Sequence, residues 1–429
     1  MLTLDALVEA NGWWKTGAVK KQFVPGVRRG LYHELLKEAG TRQMTAVIGL
    51  RRTGKSTLFY QLIQQLLDNG VLPANILYFS FDEHVEDLNA LLAIYQENVL
   101  KKDLDDGKTY LFFDEIQKLG SWQDKLKILY DLHPRVKTFV SGSASIDILK
   151  GGKETLAGRI FYHHLKPLSF KEFLELKGVG KEKTGEPLLW KKELRTELGN
   201  YLTRAFPEIV LETDEKAKRY VKEGIIDQAI FRDLRQLFRI KEIELIEKLA
   251  VILASNPGAI INLDDLSKDL GRSRQVLSNY LYYLETCFIA KSFRNYRGSK
   301  RVSSRKLKKY YLAHPSLSLA LSASHQGKVI ENLVASETTA GYYWREGNKE
   351  VDFVASTDDA IEVKYANEIS AKDLAGLIAF MHAFKAEKAR VITDDKEGTQ
   401  TIEGKKITFI PLWKWLLQTP PASHAPRGF

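Results

Sequence analysis

Cysteine is almost absent from this sequence of 429 residues, and long apolar runs are missing. The single cysteine, Cys287, excludes an intramolecular disulfide and a zinc site built on several cysteines. No apolar run approaches the ~18 residues that a membrane-spanning helix needs. Residues 1–15 contain Asp5, Glu9 and Asn11 and lack the apolar core of a secretory signal. We therefore expect a soluble, cytoplasmic protein that does not span a membrane.

Acidic residues are outnumbered, because 54 Asp and Glu stand against 64 Lys and Arg, which gives a net charge of +10. This excess favours an acidic partner such as nucleic acid or an anionic membrane surface. Hydrophobic residues at 44% and charged residues at 28% are typical of a globular protein rather than a disordered chain. At about 150 residues per domain, the length predicts roughly three domains.

Strand-like and helical patterns alternate in the first third of the chain. This alternation indicates a parallel sheet with helices on both faces. The strand-like runs are residues 45–48, 75–81, 110–113, 136–140 and 160–165.

A phosphate-binding loop follows the first of these runs. Residues 49–56 match G-x-x-x-x-G-K-[ST] between an apolar strand and an amphipathic helix, a context that makes a chance match in a surface loop the weaker interpretation. Its glycines allow backbone N–H groups to point at phosphate oxygens. We expect Lys55 to contact the β- and γ-phosphates of ATP, and Ser56 to bind Mg²⁺. The residues predicted to bind nucleotide are Gly49, Arg51, Arg52, Thr53, Gly54, Lys55, Ser56 and Thr57.

Two carboxylates end the strand-like run at 110–113. Ligands of open α/β sheets bind at the carboxyl ends of the strands, so Asp114 is predicted to hold Mg²⁺ and Glu115 to act as general base for the attacking water. The alternative is a solvated strand end. Ser143, after the fourth strand, is predicted to contact the γ-phosphate or orient the water. Arg159 is predicted to stabilise the charge that develops during hydrolysis, and a plain surface arginine is the alternative.

Motifs in this order resemble the bacterial and archaeal family of AAA-type P-loop ATPases that carry a C-terminal nuclease-like domain. The resemblance spans about residues 30 to 415 and implies functional roles for Asp114, Glu115, Ser143 and Arg159. It rests on Leu50-Arg51-Arg52-Thr53-Gly54-Lys55-Ser56, Phe113-Asp114-Glu115-Ile116-Gln117, Ser141-Gly142-Ser143-Ala144-Ser145, Leu156-Ala157-Gly158-Arg159, Pro167-Leu168-Ser169-Phe170 and Phe206-Pro207-Glu208.

Two short helical patterns meet at Gly271 and indicate a helix-turn-helix. The start of the second helix is predicted to contact DNA. The stretch 291–309 carries nine cations and no acid, which suits a wing that follows phosphates without reading sequence. A solvated basic hairpin, or a patch for an acidic subunit, is the alternative. The predicted DNA contacts are Arg272, Arg274, Gln275, Arg294, Arg297, Lys300 and Arg301.

A hairpin near the C-terminus alternates so that Glu362 and Lys364 share one face, within reach of Asp352 on the neighbouring strand. With Glu331 on a preceding helix, this pattern resembles the PD-(D/E)XK nuclease core. The resemblance implies that Asp352, Glu362 and Glu331 bind a metal ion and that Lys364 acts at the phosphate. A solvated sheet face is the alternative.

These observations predict an α/β fold with a parallel-sheet AAA-type P-loop ATPase core, a helical lid, a winged-helix domain and a C-terminal α/β restriction-endonuclease-like domain. The function predicted is ATP-dependent processing of DNA by a ring-forming ATPase that requires ATP and Mg²⁺ and can cut DNA. The alternative is a regulatory or defence switch whose nuclease-like domain only binds. A membrane-surface ATPase ranks last, because no amphipathic anchor is present. The predicted segments are 1–167 for the core, 168–235 for the lid, 236–320 for the winged helix, 321–418 for the nuclease-like domain and 419–429 for a flexible tail.

Overall fold

The computed structural model describes residues 3–82, 87–143, 155–238, 240–297, 307–366 and 368–419. The chain divides into two compact units between Lys166 and Pro167. The predicted tail lies almost wholly outside the described residues. Among the described helices, none is long and apolar enough to cross a membrane.

The first unit contains a five-stranded, fully parallel sheet in the order β2-β3-β4-β1-β5. All five strands occur where the apolar runs predict them. β1 to β4 are buried on both faces of the sheet, and β5 at the edge is buried only in part. The strands are β1 (Met44–Ile48), β2 (Ile76–Ser80), β3 (Thr109–Asp114), β4 (Val136–Gly142) and β5 (Ile160–His164). The helices are α1 (Leu4–Ala10), α2 (Trp13–Thr16), α3 (Tyr32–Glu38), α4 (Lys55–Asp68), α5 (Leu88–Tyr95) and α6 (Trp122–Leu132).

The edge of β2 that pairs with no other described strand is covered by side chains from the N-terminal helices. The carboxamide of Asn11 is fully buried and takes the place of a neighbouring strand: its Nδ2 donates to Tyr78 O at 2.9 Å, and its Oδ1 accepts from Tyr78 N at 2.6 Å. The indoles of Trp13 and Trp14 donate to Ile76 O at 3.2 and 2.8 Å. Unpaired edges invite pairing with other chains, so these contacts close the sheet on this side.

The second unit begins with helices. They are α7 (Phe170–Leu176), α8 (Lys181–Gly185), α9 (Lys191–Tyr201) and a long helical segment that starts as α10 (Asp214–Arg219) and ends as α11 (Arg235–Leu237). Ser169 begins α7 with a capping box, in which its side chain and that of Glu172 satisfy each other's backbone N–H groups. The long segment contains two π-helical stretches, Tyr220–Ile226 and Ala229–Leu234.

A helix–strand–helix–helix–strand–strand arrangement follows. It consists of α12 (Ile243–Ser255), β6 (Ala259–Ile261), α13 (Leu263–Leu270), α14 (Arg274–Thr286), β7 (Ala290–Asn295) and β8 (Lys308–Leu312). β8 pairs antiparallel with both β6 and β7. Gly271 ends α13 in the left-handed conformation, and Ser273 caps α14, so the turn predicted between the two helices is present.

The last part of the chain consists of two helices, three strands that pair antiparallel, a third helix, three further strands and a final helix. It consists of α15 (Pro315–Leu321), α16 (Gln326–Glu337), β9 (Tyr342–Glu346), β10 (Lys349–Ser356), β11 (Asp359–Lys364), α17 (Ala375–Ala383), β12 (Lys388–Thr393), β13 (Gly398–Ile402), β14 (Lys405–Pro411) and α18 (Leu412–Gln418). The predicted hairpin is the antiparallel pair β10 and β11.

One sheet of nine strands runs through this unit in the order β13-β14-β12-β11-β10-β9-β7-β8-β6. β7 joins β9 through only two residue pairs, Arg294 with Tyr342 and Asn295 with Tyr343. Beyond this narrow junction, Tyr311 of β8 packs against Phe353 of β10 with ring centroids 5.6 Å apart. The sheet therefore curls so that β8 faces β10, and the sheet continues across the predicted boundary at residue 320.

We expect Asn11→Ala to loosen the edge of β2, because two hydrogen bonds to buried backbone groups are lost. Unpaired buried groups cost about 1–3 kcal/mol, so protection of the Tyr78 amide from hydrogen exchange should fall about tenfold or more. Asn98→Ala is the matched control, since that exposed carboxamide bonds only to its own helical turn, at Ile94 O. Equal protection of residues 76–80 in both variants would contradict this role.

Candidate functional site

The phosphate-binding loop joins β1 to α4. Gly49 has no space for a side chain, because a Cβ there would lie 2.2 Å from Leu165 O. Gly54 adopts a left-handed conformation with φ of 94° immediately before α4. Lys55 is only 5% exposed, and its Nζ donates to the carbonyls of Gly49 and Leu50 at 2.9 Å each. The ammonium is therefore held over the loop, where phosphates of a nucleotide would lie.

Of the other predicted nucleotide-binding residues, Thr53 is buried and its hydroxyl donates to Leu50 O at 2.9 Å. Arg52 has a positive φ of 61°. Arg51 and Thr57 are half-buried.

Hydroxyl groups surround the carboxylate of Asp114 at the end of β3. Ser56 and Ser141 each donate to one of its oxygens, and Tyr78 donates to Oδ2 at 3.0 Å. Burial, and then the charge of Asp114, raises the pKa of Tyr78, so the phenol stays protonated and donates. A serine hydroxyl and a carboxylate in contact are oxygen donors of the kind that Mg²⁺ takes, so Ser56 and Asp114 fit a metal that would offset phosphate charge.

Glu115 and Ser143 are linked through Gln117. The Gln117 Nε2 donates to the Glu115 carboxylate and to Ser143 Oγ, the latter at 3.2 Å. Glu115 has a positive φ of 52°, and its N–H donates to Ser141 Oγ at 3.2 Å. Among the described groups, none donates to the buried Oε1 of Gln117. That oxygen is an acceptor for a water molecule beside the predicted general base.

Arg29 supports the loop from outside it. This guanidinium is 8% exposed and donates to Thr53 O and, at 2.8 Å, to Lys166 O. Sequence reasoning missed Arg29, because it precedes the first strand and belongs to no motif. The roles of Tyr78 and Gln117 were also missed. Gln117 lies just beyond the carboxyl end of β3, which was an available signal, whereas Tyr78 lies in the middle of β2 and had none.

Arg159 lies at the opposite edge of the sheet from the loop. Its carbonyl accepts from Met44 N at the start of β1, whereas the loop follows the end of this strand. Five residues of strand span ~16 Å, so Arg159 does not reach the phosphate site of its own chain. Its guanidinium pairs with Asp131 at 2.9 Å, and this hydrogen bond lowers the pKa of the Asp131 carboxyl.

The predicted nuclease residues surround a lysine that sequence reasoning assigned to the basic stretch. The Lys309 side chain is 1% exposed, and its Nζ lies 2.8 Å from Glu331, 2.7 Å from Glu350 and 3.0 Å from Asp352. Tyr311 donates to Glu331 in the same cluster. Lys309 is thus an internal cation and not a solvent-facing DNA contact.

Glu362 and Lys364 form a separate pair at 2.8 Å on β11. Burial, and then the charge of Asp352, raises the pKa of Glu362 to about 8. Lys309 and Lys328 outweigh the burial of Glu331 and lower its pKa to about 2. Among the described residues, the three predicted metal ligands, Glu331, Asp352 and Glu362, do not form a group whose ligand atoms lie close enough together to share an ion. They do not fit a shared divalent ion as arranged.

The predicted DNA contacts are placed in two groups. At the start of α14, Arg272 pairs with Glu242 at 2.6 Å, Arg274 pairs with Asp264 at 2.9 Å, and Gln275 bonds to Asn279. All three side chains are exposed.

In the basic stretch, Arg294 is exposed, and Arg297 donates to Arg345 O at 2.8 Å. Lys300 and Arg301 lie outside the described residues. Lys291 donates to Ala335 O at 2.8 Å and holds α16, so this cation also has a structural role.

Three segments of the chain match known families. Residues 41–174 match the family described as an AAA domain. Residues 197–327 and 323–415 match two families described as domains of unknown function, DUF8612 and DUF4143.

Two relatives resemble almost the whole chain. An uncharacterized protein of Methanocaldococcus jannaschii is 28% identical over 407 residues, covering 87% of this chain and 88% of the relative. An uncharacterized protein of Haemophilus influenzae is 28% identical over 415 residues, covering 91% of this chain and 98% of the relative.

The solved structures that resemble the chain do so weakly. Cdc6p from Pyrobaculum aerophilum is 12% identical with a TM-score of 0.28, covering 71% of this chain and 96% of that one. The Saccharomyces cerevisiae Hsp104:casein complex is 13% identical with a TM-score of 0.31, covering 65% and 52%. Likenesses of this degree carry no argument here. Residues 41–174 are therefore similar to an AAA domain, and the segments that follow are similar to two domains of unknown function.

Proposed function

We propose that this protein hydrolyses ATP and uses the turnover to act on DNA bound by its second unit. The observation that carries the proposal is the convergence of five side chains at one edge of the parallel sheet. These side chains are Lys55, Ser56, Asp114, Glu115 and Ser143.

Each group at this edge has a distinct task. Lys55 offsets charge on the β- and γ-phosphates, and Ser56 with Asp114 would hold Mg²⁺. The Glu115 carboxylate accepts a proton from the attacking water, while Gln117 and Ser143 orient that carboxylate and the water. Arg29 stabilises the conformation of the loop by donating a hydrogen bond to Thr53 O.

DNA binding is supported by the arrangement of α12 to β8. The order of these elements, and the pairing of β8 with both β6 and β7, are those of a winged helix. Arg272 and Arg274 are exposed at the start of α14, which is the second helix of the helix-turn-helix, and Arg294 is exposed on β7. Exposed cations of this kind neutralise phosphates.

The C-terminal elements support a nuclease-like fold with a binding role. Glu331 lies on α16, Asp352 on β10, and Glu362 and Lys364 on β11, so the predicted residues lie on a helix and a hairpin as the PD-(D/E)XK resemblance implies. Cleavage of DNA and simple binding were the two roles predicted. Lys309, which lies among the carboxylates, favours binding without cleavage, and cleavage stays the alternative.

We expect Lys55→Ala and Glu115→Gln to separate binding of ATP from hydrolysis. Lys55→Ala should weaken ATP binding at least tenfold, because the loop loses its cation. Glu115→Gln should keep ATP affinity within about threefold while hydrolysis falls ~10²–10⁴-fold, since only the base is removed. Steady-state hydrolysis and binding of a fluorescent ATP analogue measure the two effects. Lys127→Ala and Glu97→Gln, both exposed, are the controls; normal turnover in Glu115→Gln would exclude this residue as the base.

We expect Arg159 to act on the nucleotide of a neighbouring subunit in a ring, because it lies far from the loop of its own chain. An equal mixture of inactive Lys55→Ala and Arg159→Ala subunits should recover up to about a quarter of wild-type hydrolysis, as one interface in four combines both intact groups. Asp131→Asn is the control, since it breaks the same ion pair but keeps the arginine. The absence of recovery, together with a monomeric mass under ATP and DNA, would refute the ring.

We expect DNA binding to be electrostatic and to depend on Arg272, Arg274 and Arg294. Changing these three residues to Glu should weaken binding to all sequences alike. The slope of log affinity against log salt should fall by about 0.7–0.9 for each lost phosphate contact. Lys216→Glu, Lys218→Glu and Arg219→Glu together, at exposed positions of α10, are a control of the same charge change. Unchanged affinity and slope in the triple variant would show that DNA binds elsewhere.

A further inference from the structure

We propose that Lys309 is the resident cation of the C-terminal carboxylate cluster and that it replaces the divalent metal of a nuclease site. The inference rests on the nuclease-like arrangement proposed above. In this proposal, the site binds no metal ion and does not cleave DNA. It gives the cluster a different task, which is to fasten β8 to β10 and α16.

The contacts of Lys309 are those of a fully coordinated cation. Three carboxylates from two elements lie within 3.0 Å of its Nζ, and the side chain is 1% exposed. An ammonium carries three N–H donors, and each has a carboxylate acceptor. A buried ion pair persists where hydrogen bonds satisfy the charges on both sides, as they do here.

The cluster contains as many cationic side chains as acidic ones without a metal. Its four acids are Glu331, Glu350, Asp352 and Glu362, and each of the four cations around them contacts at least one of these acids. The contacts besides those of Lys309 are Lys328 with Glu331 at 2.9 Å, Arg345 with Glu350 at 3.7 Å and Lys364 with Glu362 at 2.8 Å. Carboxylates that await a divalent ion carry an excess of negative charge, and this cluster has none. An added Mg²⁺ would have to expel Lys309.

The oxygens of Asp352 are also engaged. Oδ1 binds Lys309 at 3.0 Å, and Oδ2 accepts from Val363 N at 3.0 Å. Mg²⁺ needs near-octahedral oxygen ligands at about 2.0–2.1 Å. Across the described ranges, the carboxylate and imidazole groups close enough to share an ion are Asp103, Asp105 and His133, in the first unit.

The position of Lys309 explains how a cation enters this site. It lies on β8, which is separated from β10 by β7 and β9 in the sheet order. Because the sheet curls, β8 lies over β10. The Lys309 side chain therefore extends from β8 to the carboxylates on β10 and α16. Gly258 allows the Glu331 carboxylate to lie close to the backbone, because a Cβ at position 258 would lie 2.6 Å from Glu331 Oε1. Lys309 is therefore a positioning residue that holds the strand next to the predicted DNA-binding wing.

Mn²⁺ binding to nucleotide-free protein, followed by electron paramagnetic resonance, tests the inference. Wild type and Asp352→Asn should bind the same number of Mn²⁺ ions, because Asp352 holds none. Lys309→Met should gain one ion, since the three carboxylates then lack the cation that they share. Lys309→Met with Asp352→Asn should lose that ion again. Mn²⁺ should raise the melting temperature of Lys309→Met by about 5 °C or more at saturation and leave that of wild type unchanged.

The wild-type measurements decide the question even if Lys309→Met does not fold. A wild-type Mn²⁺ site that disappears in Asp352→Asn would overturn the inference. So would cleavage of duplex, single-stranded or branched DNA in Mg²⁺ or Mn²⁺ that Asp352→Asn or Lys364→Ala abolishes. ATP hydrolysis and DNA affinity are measured on the same preparations. Their absence would refute the proposed function and leave the result on Lys309 intact.

Discussion

A charged group that is buried away from water must be compensated by its neighbours. This constraint determines how both sites of the protein are arranged. In the first unit, Asp114 is compensated by hydroxyl groups of Ser56, Ser141 and Tyr78. Hydroxyls carry no net charge, so they do not neutralise this carboxylate, which suits the proposal that it holds a metal ion together with nucleotide. In the second unit, Asp352 is compensated by an ammonium, and its charge is already neutralised. Asp114 ends a parallel strand and Asp352 lies within an antiparallel one, and their partners give the two carboxylates opposite chemistry.

Much of the first unit could be predicted from sequence, because its signals are local. Five apolar runs become five strands, and residues 49–56 form the loop that their spacing indicates. The carboxyl ends of parallel strands meet at one edge, so Asp114 and Ser143 could be placed near Lys55 without a structure. Asn11 and Arg29 could not, since each acts on backbone groups distant in sequence and belongs to no periodic pattern.

Lys309 illustrates the limit of charge counting. Residues 291–309 contain nine cations and no acid, which indicates a solvated basic surface. Strand alternation sends neighbouring residues to opposite faces: Lys308 pairs with Glu285 at 3.2 Å, and Lys309 enters the interior. Which face becomes the interior is set by the curl of the sheet at the junction of β7 and β9. That junction consists of only two pairs, each between residues 48 positions apart, and no pattern in the sequence predicts it.

The covering of β2 by Asn11 has a consequence for the order of events during synthesis. Asn11 leaves the ribosome 67 residues before its partner Tyr78. At about 5–20 residues per second, the interval is ~3–13 s. Throughout this time α1 and α2 have no strand to contact, and their tryptophan and asparagine side chains stay in water. α1 and α2 are thus made before β2, but they become ordered only after β2 has emerged.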